Sequence, residues 1–200
     1  MPKPGPYENE FEMKNMSTQT VEKGTVLLAE PFSLDTNFRR TAVVLTEHQD
    51  EGTVGFIMNR KMDVELTDLL SDFPELNADV FFGGPVATDS LHYLHNVGDL
   101  LEGSIKIKNG VYWGGDFDKL KFLIDAKLIT PQNIRFYIGY SGWSSGQLEE
   151  ELKYGSWVLA DMHANYLFKS RPELLWEQIM TNKGNVFSVI AKMPDTVNWN

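Results

Sequence analysis

The residues whose types and spacing come nearest to a chemistry lie between Gly139 and Leu148, reading GYSGWSSGQL and running into EEEL. The first five are one position away from the G-x-S-x-G nucleophile elbow, where a serine sits on a sharp strand-to-helix turn. The glycine that this turn needs at position 143 is Trp143. The strained conformation is therefore not specified, and Ser141 does not read as a nucleophile. Anion binding is a second chemistry, since Gly139, Gly142 and Gly146 would leave backbone N–H groups facing a phosphate at a helix start. The order fits neither GxGxxG nor the Walker pattern, and Glu149, Glu150 and Glu151 would repel a polyanion while complementing the helix dipole. The stretch reads first as architecture: a strand, a glycine turn, and a helix closed by Ser144 and Gln147 in a capping box.

Metal and acid–base chemistry rest on four histidines. His92 and His95 lie in SLHYLH, which reads as a strand, so their odd offset sends them to opposite faces and one ion cannot take both. His48 and His163 are isolated in sequence. Neither a metal site nor a cofactor is expected, and no catalytic residue is assigned. With no cysteine in the chain, disulfides, thiol nucleophiles and iron–sulfur clusters are excluded.

Two other element ends suit a ligand. Gly83-Gly84-Pro85-Val86 permits close approach of another backbone or of a small molecule. Asn59-Arg60 closes the apparent strand TVGFIM, where the asparagine reads as a turn former or as a recognition group. Arg39 and Arg40, if inward-facing, would need Asp35 or Glu47 as partner. The expected ligand-binding residues are Asn59, Arg60, Gly83, Gly84, Trp143 and Gln147. Converging on one concavity, they would offer an amide, a guanidinium, backbone donors and an aromatic wall to a small polar or anionic ligand.

The elements that must position these residues are short. Strands are expected at 25–29, 41–47, 53–58, 79–82, 90–95, 111–113, 134–138 and 156–160. Helices are expected at 64–73 with Asp63 as cap, 116–128, 146–153, and 172–180 with a Ser170–Glu173 capping box. Strands in series with irregularly placed helices indicate an α+β fold. Residues 1–20, rich in proline and charge, read as a disordered tail, and 21–200 as one domain. No segment offers the ~18 uninterrupted apolar residues of a membrane helix, and the start lacks a secretory apolar core, so a cytoplasmic protein is expected. The formal net charge of −10 disfavours direct nucleic-acid binding, which draws its affinity from Lys and Arg.

Taken in order, GTVLLAEP, Asp35, FRRTAVVLTEH, the Gly52, Gly55 and Asn59 spacing, GGPV, Leu94-His95, GYSGWSSGQLEEEL, Trp157 and LLWEQI resemble the YqgE/AlgH family of bacterial proteins. The match runs from about Val21 to Gly184. The resemblance implies an α+β fold with a mixed, largely antiparallel, barrel-like β core and flanking helices, in a cytosolic protein. Members commonly carry alanine at the position of Ser141, which argues against its hydroxyl as nucleophile. Some members are labelled transcriptional regulators, yet no helix-turn-helix signature occurs in this chain. The favoured expectation is a non-enzymatic regulatory or adaptor domain that binds a small molecule or a protein partner. The alternative is an enzyme drawing its acid or base from His48, His95, Asp35 or a glutamate such as Glu151.

Overall fold

Residues 20–193 are described by a computed structural model of the chain. Apart from residue 20, the expected N-terminal tail lies outside the described residues. The elements run β1 (Thr25–Ala29), β2 (Ala42–Gln49), β3 (Gly52–Ile57), α1 (Leu66–Leu69), β4 (Val80–Phe82), β5 (Val86–His95), β6 (Ile105–Lys106), β7 (Tyr112–Trp113) and α2 (Phe117–Asp125). They continue with β8 (Ile134–Ser144), α3 (Gln147–Lys153), β9 (Trp157–Asp161), α4 (Ala164–Phe168), α5 (Pro172–Asn182) and α6 (Asn185–Ala191).

The strands form one sheet in the order β6-β7-β5-β8-β3-β2-β1-β9, with β4 alongside β8. The β4–β8 pair is parallel and the other strand pairs are antiparallel. The class is α+β, as the sequence indicates. The sheet is open, however: β6 and β9 lie at its two ends, so the expected barrel-like core does not close. The edge strand β6 has only two residues, too few to recruit another partner.

Apolar residues cover both faces of the central strands. In β1, Val26 and Leu28 join the core under α5, which also holds Trp176 and Met180, while Leu27 and Ala29 join Trp143, Leu148 and Trp157 on the α3 side. A third cluster packs Leu120, Leu123 and Ile124 of α2 against Phe136 of β8. The Trp176 indole N–H donates to the Ala29 carbonyl at 3.0 Å, fixing α5 to β1.

Several boundaries differ from the expectation. Helix α1 is capped by Glu65 rather than Asp63 and ends at Leu69, because Leu70 turns extended and Pro74 biases the residue before it away from helix. Asp116 caps α2, accepting from the Lys119 N–H at 2.7 Å. Helix α5 starts from Arg171, with Pro172 in its first turn and no side-chain cap, so the Ser170–Glu173 box does not form. Helices α4 and α6 were not expected. The largest difference is β8, which continues through GYSGWS to Ser144 instead of ending at Ile138.

Candidate functional site

Strand β8 runs through the glycine-rich motif because it changes partner there. On one side it pairs with β5 from Ile134 to Tyr140; on the other it pairs with β4 at Phe136–Ile138 and then with β3 at Ser141–Ser144. Gly139, at φ +66°, makes the step between them. The Gly83–Gly84 segment crosses at this point. A Cβ on Gly84 would lie 2.3 Å from the Tyr140 carbonyl carbon, and one on Gly83 would lie 2.3 Å from the Gly139 oxygen. The two glycine motifs therefore exist for each other, as two backbones in contact. The Gly83 N–H donates to the Ile138 carbonyl at 2.8 Å, and the Gly83 carbonyl accepts from the Ile57 N–H at 2.9 Å. The Ser141 hydroxyl, fully buried, donates to that same carbonyl at 3.0 Å.

Beyond the crossing, strict alternation turns Ser141 and Trp143 inward and leaves Gly142 and Ser144 exposed. A carboxylate then organises the junction with α3. Glu151 Oε2 accepts from the Trp143 indole at 2.9 Å and from the Trp157 indole at 2.7 Å, and Oε1 accepts from the Gln147 amide at 2.9 Å. Gln147 Oε1 in turn accepts from the Ser144 N–H at 3.0 Å, the reach-back half of the expected capping box. Phe38 packs edge-on against Trp157 at 5.4 Å and lies 6.2 Å from Trp143. Asn59 and Arg60 hold the loop that carries Phe38. The Asn59 side chain accepts from Ala42 N–H and donates to the Arg40 carbonyl, both at 2.9 Å, while Arg60 donates to the Thr36 and Arg39 carbonyls at 3.0 Å.

The six expected site residues are thus linked, but through structural hydrogen bonds and backbone contact rather than around one concavity. Two adjoining hollows open beside them, on either side of the β2–β3 turn. One, of about 410 Å³, is lined by His48, Asp50, Thr53, Ser144, Gly146 and Glu149 among others. The other, of about 430 Å³, is lined by Glu47, Glu51, Val54, Tyr140, Gly142 and Trp143 among others. Of the six, only Trp143 borders either hollow, and it is 5% exposed. In the first hollow His48 Nδ1 is hydrogen-bonded to the Thr53 hydroxyl at 2.7 Å, and Nε2 stands 3.8 Å from Glu149. Neither wall includes a lysine or arginine, so the field favours cationic or hydrogen-bond-donating groups over anions.

Sequence reasoning treated His48 as isolated and passed over Thr53. A register count finds the pair: Asp50-Glu51 is a two-residue loop, which sets His48 directly opposite Thr53. Glu149 and Ser144 reach the same hollow because the strand runs on to Ser144, and that extension was the missed feature.

The other expected groups lie elsewhere. His92 and His95 point to opposite faces of β5. His92 packs among Phe56, Trp113 and Tyr140, with Nε2 2.9 Å from the Ser90 hydroxyl. His95 is fully buried and stacked on Tyr112; Nε2 donates to the Gly114 carbonyl at 2.8 Å and Nδ1 accepts from the Val97 N–H at 3.3 Å. Burial lowers the pKa of both rings, and for His95 the Gly114 bond opposes the shift in part. Arg40 lies over the Trp176 ring and donates to the Met193 carbonyl. Among the described residues, no helix is long and apolar enough to cross a membrane.

Comparison with known proteins gives one family from sequence and the same fold from structure. A family model described as AlgH-like matches residues 26–188. A UPF0301 protein of Chlorobium phaeobacteroides is 37% identical over 192 residues, spanning 96% of this chain and 99% of its own. One from Cytophaga hutchinsonii is 38% identical over 173 residues, spanning 86% and 95%. The solution structure of AlgH from Pseudomonas aeruginosa superposes with a TM-score of 0.70 at 28% identity, covering 89% of this chain and 97% of that one. A crystal structure of a Corynebacterium diphtheriae protein shares the fold at a TM-score of 0.72 and 19% identity, covering 89% and 95%.

Proposed function

This chain belongs to the AlgH-like family, and from that premise we propose that it is a non-enzymatic binding domain of regulatory or adaptor type. Its binding surface is the pair of hollows at the β2–β3 turn, and its ligand is a small polar molecule or a protein side chain that donates hydrogen bonds. The observation that carries this reading is the division of labour at the junction. The motif residues Ser141, Trp143 and Gln147 are held by Gly83, Glu151 and Ser144, while His48, Ser144 and Glu149 line a hollow about 410 Å³ in volume beside them. Rigid support beneath an open polar hollow is how binding sites are built. The acidic lining and the net charge of −10 argue against an anionic ligand here and against direct duplex contact.

The test is a thermal-shift screen of argininamide, putrescine, neutral amides and organic acids against wild type, His48→Ala and Glu149→Gln. A ligand at a hundredfold its Kd adds ~2.7 kcal/mol. A stabilising compound from the cationic or amide set, silent in both variants, supports the reading. Stabilisation confined to organic acids, or equal in all three proteins, contradicts it.

A second reading, an enzyme, is favoured by one observation: the Thr53 hydroxyl, the His48 imidazole and the Glu149 carboxylate stand in line. It predicts slow ester hydrolysis lost in His48→Ala. Equal rates in the two proteins would remove it.

A further inference from the structure

The other end of β8 carries a charge whose surroundings are incomplete. Arg135, half-buried, lies with its guanidinium carbon 4.5 Å over the Phe81 ring, and its Nη1 donates to the Met58 carbonyl at 3.1 Å. Among the described residues it forms no ion pair. Two residues on, on the same face of the strand, Tyr137 is fully buried and its hydroxyl has no hydrogen-bond partner. Burial pushes that phenol up to about 12, against the opposing charge and hydrogen-bonding influence of the adjacent Arg135, so it stays neutral. With a single carbonyl acceptor for its five N–H donors, the Arg135 guanidinium has donors left over for a ligand.

Arg135 borders a cavity of about 190 Å³ between the start of β8 and α4. The polar wall adds the Asn77 and Gln132 side chains. Its one carboxylate, Asp79, is paired with Lys61 at 2.6 Å. Phe168 makes the accessible apolar wall, with Ile134 and Leu167 buried behind it. The volume is that of about six waters at roughly 30 Å³ each, too small for a nucleotide.

We infer that this cavity is a binding site for a short-chain aliphatic carboxylate. The Arg135 guanidinium takes the two carboxylate oxygens, the Asn77 and Gln132 amides donate to their remaining lone pairs, and the alkyl tail lies against Phe168. Arginine fits this role because its fork of N–H donors matches a carboxylate in two parallel bonds. The apolar wall is what selects a carboxylate with a tail over a bare oxyanion. The site stands apart from the hollows at the β2–β3 turn, so the failure of either assignment leaves the other intact.

The experiment is a titration of the 15N-labelled full chain with sodium butyrate, followed on the side-chain amides of Asn77 and Gln132 and the Nε–H of Arg135. Inorganic phosphate and butylammonium serve as parallel titrants. Saturable shifts at these groups with butyrate, and a Kd at least tenfold weaker in Arg135→Gln and Arg135→Lys, are expected. The lysine variant keeps the charge and loses the fork, so weakening there reports geometry rather than field. Absence of saturable shifts in wild type up to 50-fold excess over protein overturns the site even if a variant fails to fold. Shifts with phosphate alone overturn the carboxylate assignment, and unchanged affinity in a folded Arg135→Gln overturns the role of the guanidinium.

Discussion

The two ends of β8 treat a half-buried charge in opposite ways. At the α3 end, Glu151 accepts from two indoles and an amide, each at 2.9 Å or less. At the α4 end, Arg135 has a ring and one carbonyl, with an unpartnered phenol beside it. Saturation of the first makes it a brace: the two charge-assisted indole bonds fix β8 and β9 to α3, and the Gln147 amide within α3 holds the carboxylate in place. The openness of the second makes it a receptor. A glycine-rich motif with one tryptophan therefore marks where the fold is tied together, and the groups available to ligands sit beside it or at the far end of the same strand.

That contrast breaks most severely at the backbone crossing. Gly84→Ala places a Cβ within 2.4 Å of three backbone atoms at φ +151°. It is expected to lose about 3–5 kcal/mol, combining overpacking with a disfavoured conformation, as measured by urea unfolding. Next is Glu151→Ala, which leaves two indole N–H groups of the core unpaired. The expected loss is about 2–4 kcal/mol, and Glu151→Gln, which keeps an acceptor, should recover part of it.

The buried imidazoles give a smaller, pH-dependent effect. Both folded pKa values are lowered, so the unfolded chain takes the protons first, near pH 6.5. Their stabilisation is complete above that value and is lost as pH falls through 6.5 toward the folded pKa. The slope is at most about 1.4 kcal/mol per pH unit from each ring. Urea midpoints between pH 7.5 and 5 should fall in wild type and fall less in His95→Gln; parallel curves would mean that His95 does not contribute. Smallest is Ser141→Ala, expected at about 1 kcal/mol because the Gly83 carbonyl keeps its bond from Ile57. It should also leave ligand binding unchanged, as fits a hydroxyl that faces the core.

The legible parts of the fold were those written in local pattern. The β1 run TVLLA, the Asp116 cap of α2 and the Pro172 start of α5 lie where periodicity and capping put them. The family and its α+β class were legible from motif order. The extension of β8 was not, because glycines read as turns, and only the crossing of Gly83–Gly84 explains why this strand needs them. Nor was the brace, since Trp143 and Trp157 lie eight and six residues from Glu151 and the three meet only when α3 folds back. The expected residues Asn59 and Arg60 prove to hold the Phe38 loop, a tertiary role with no local signature.

The central claim is that the motif braces the fold while the hollow beside it binds. It is tested most directly by a calorimetric titration of argininamide into wild type and Glu149→Gln, with melting temperatures measured on the same samples. The prediction is saturable binding in wild type and at least tenfold weaker binding in Glu149→Gln, at a melting temperature within about 2 °C of wild type, since an exposed side chain is being neutralised. Equal affinity in the two proteins, or no binding to either, would contradict it.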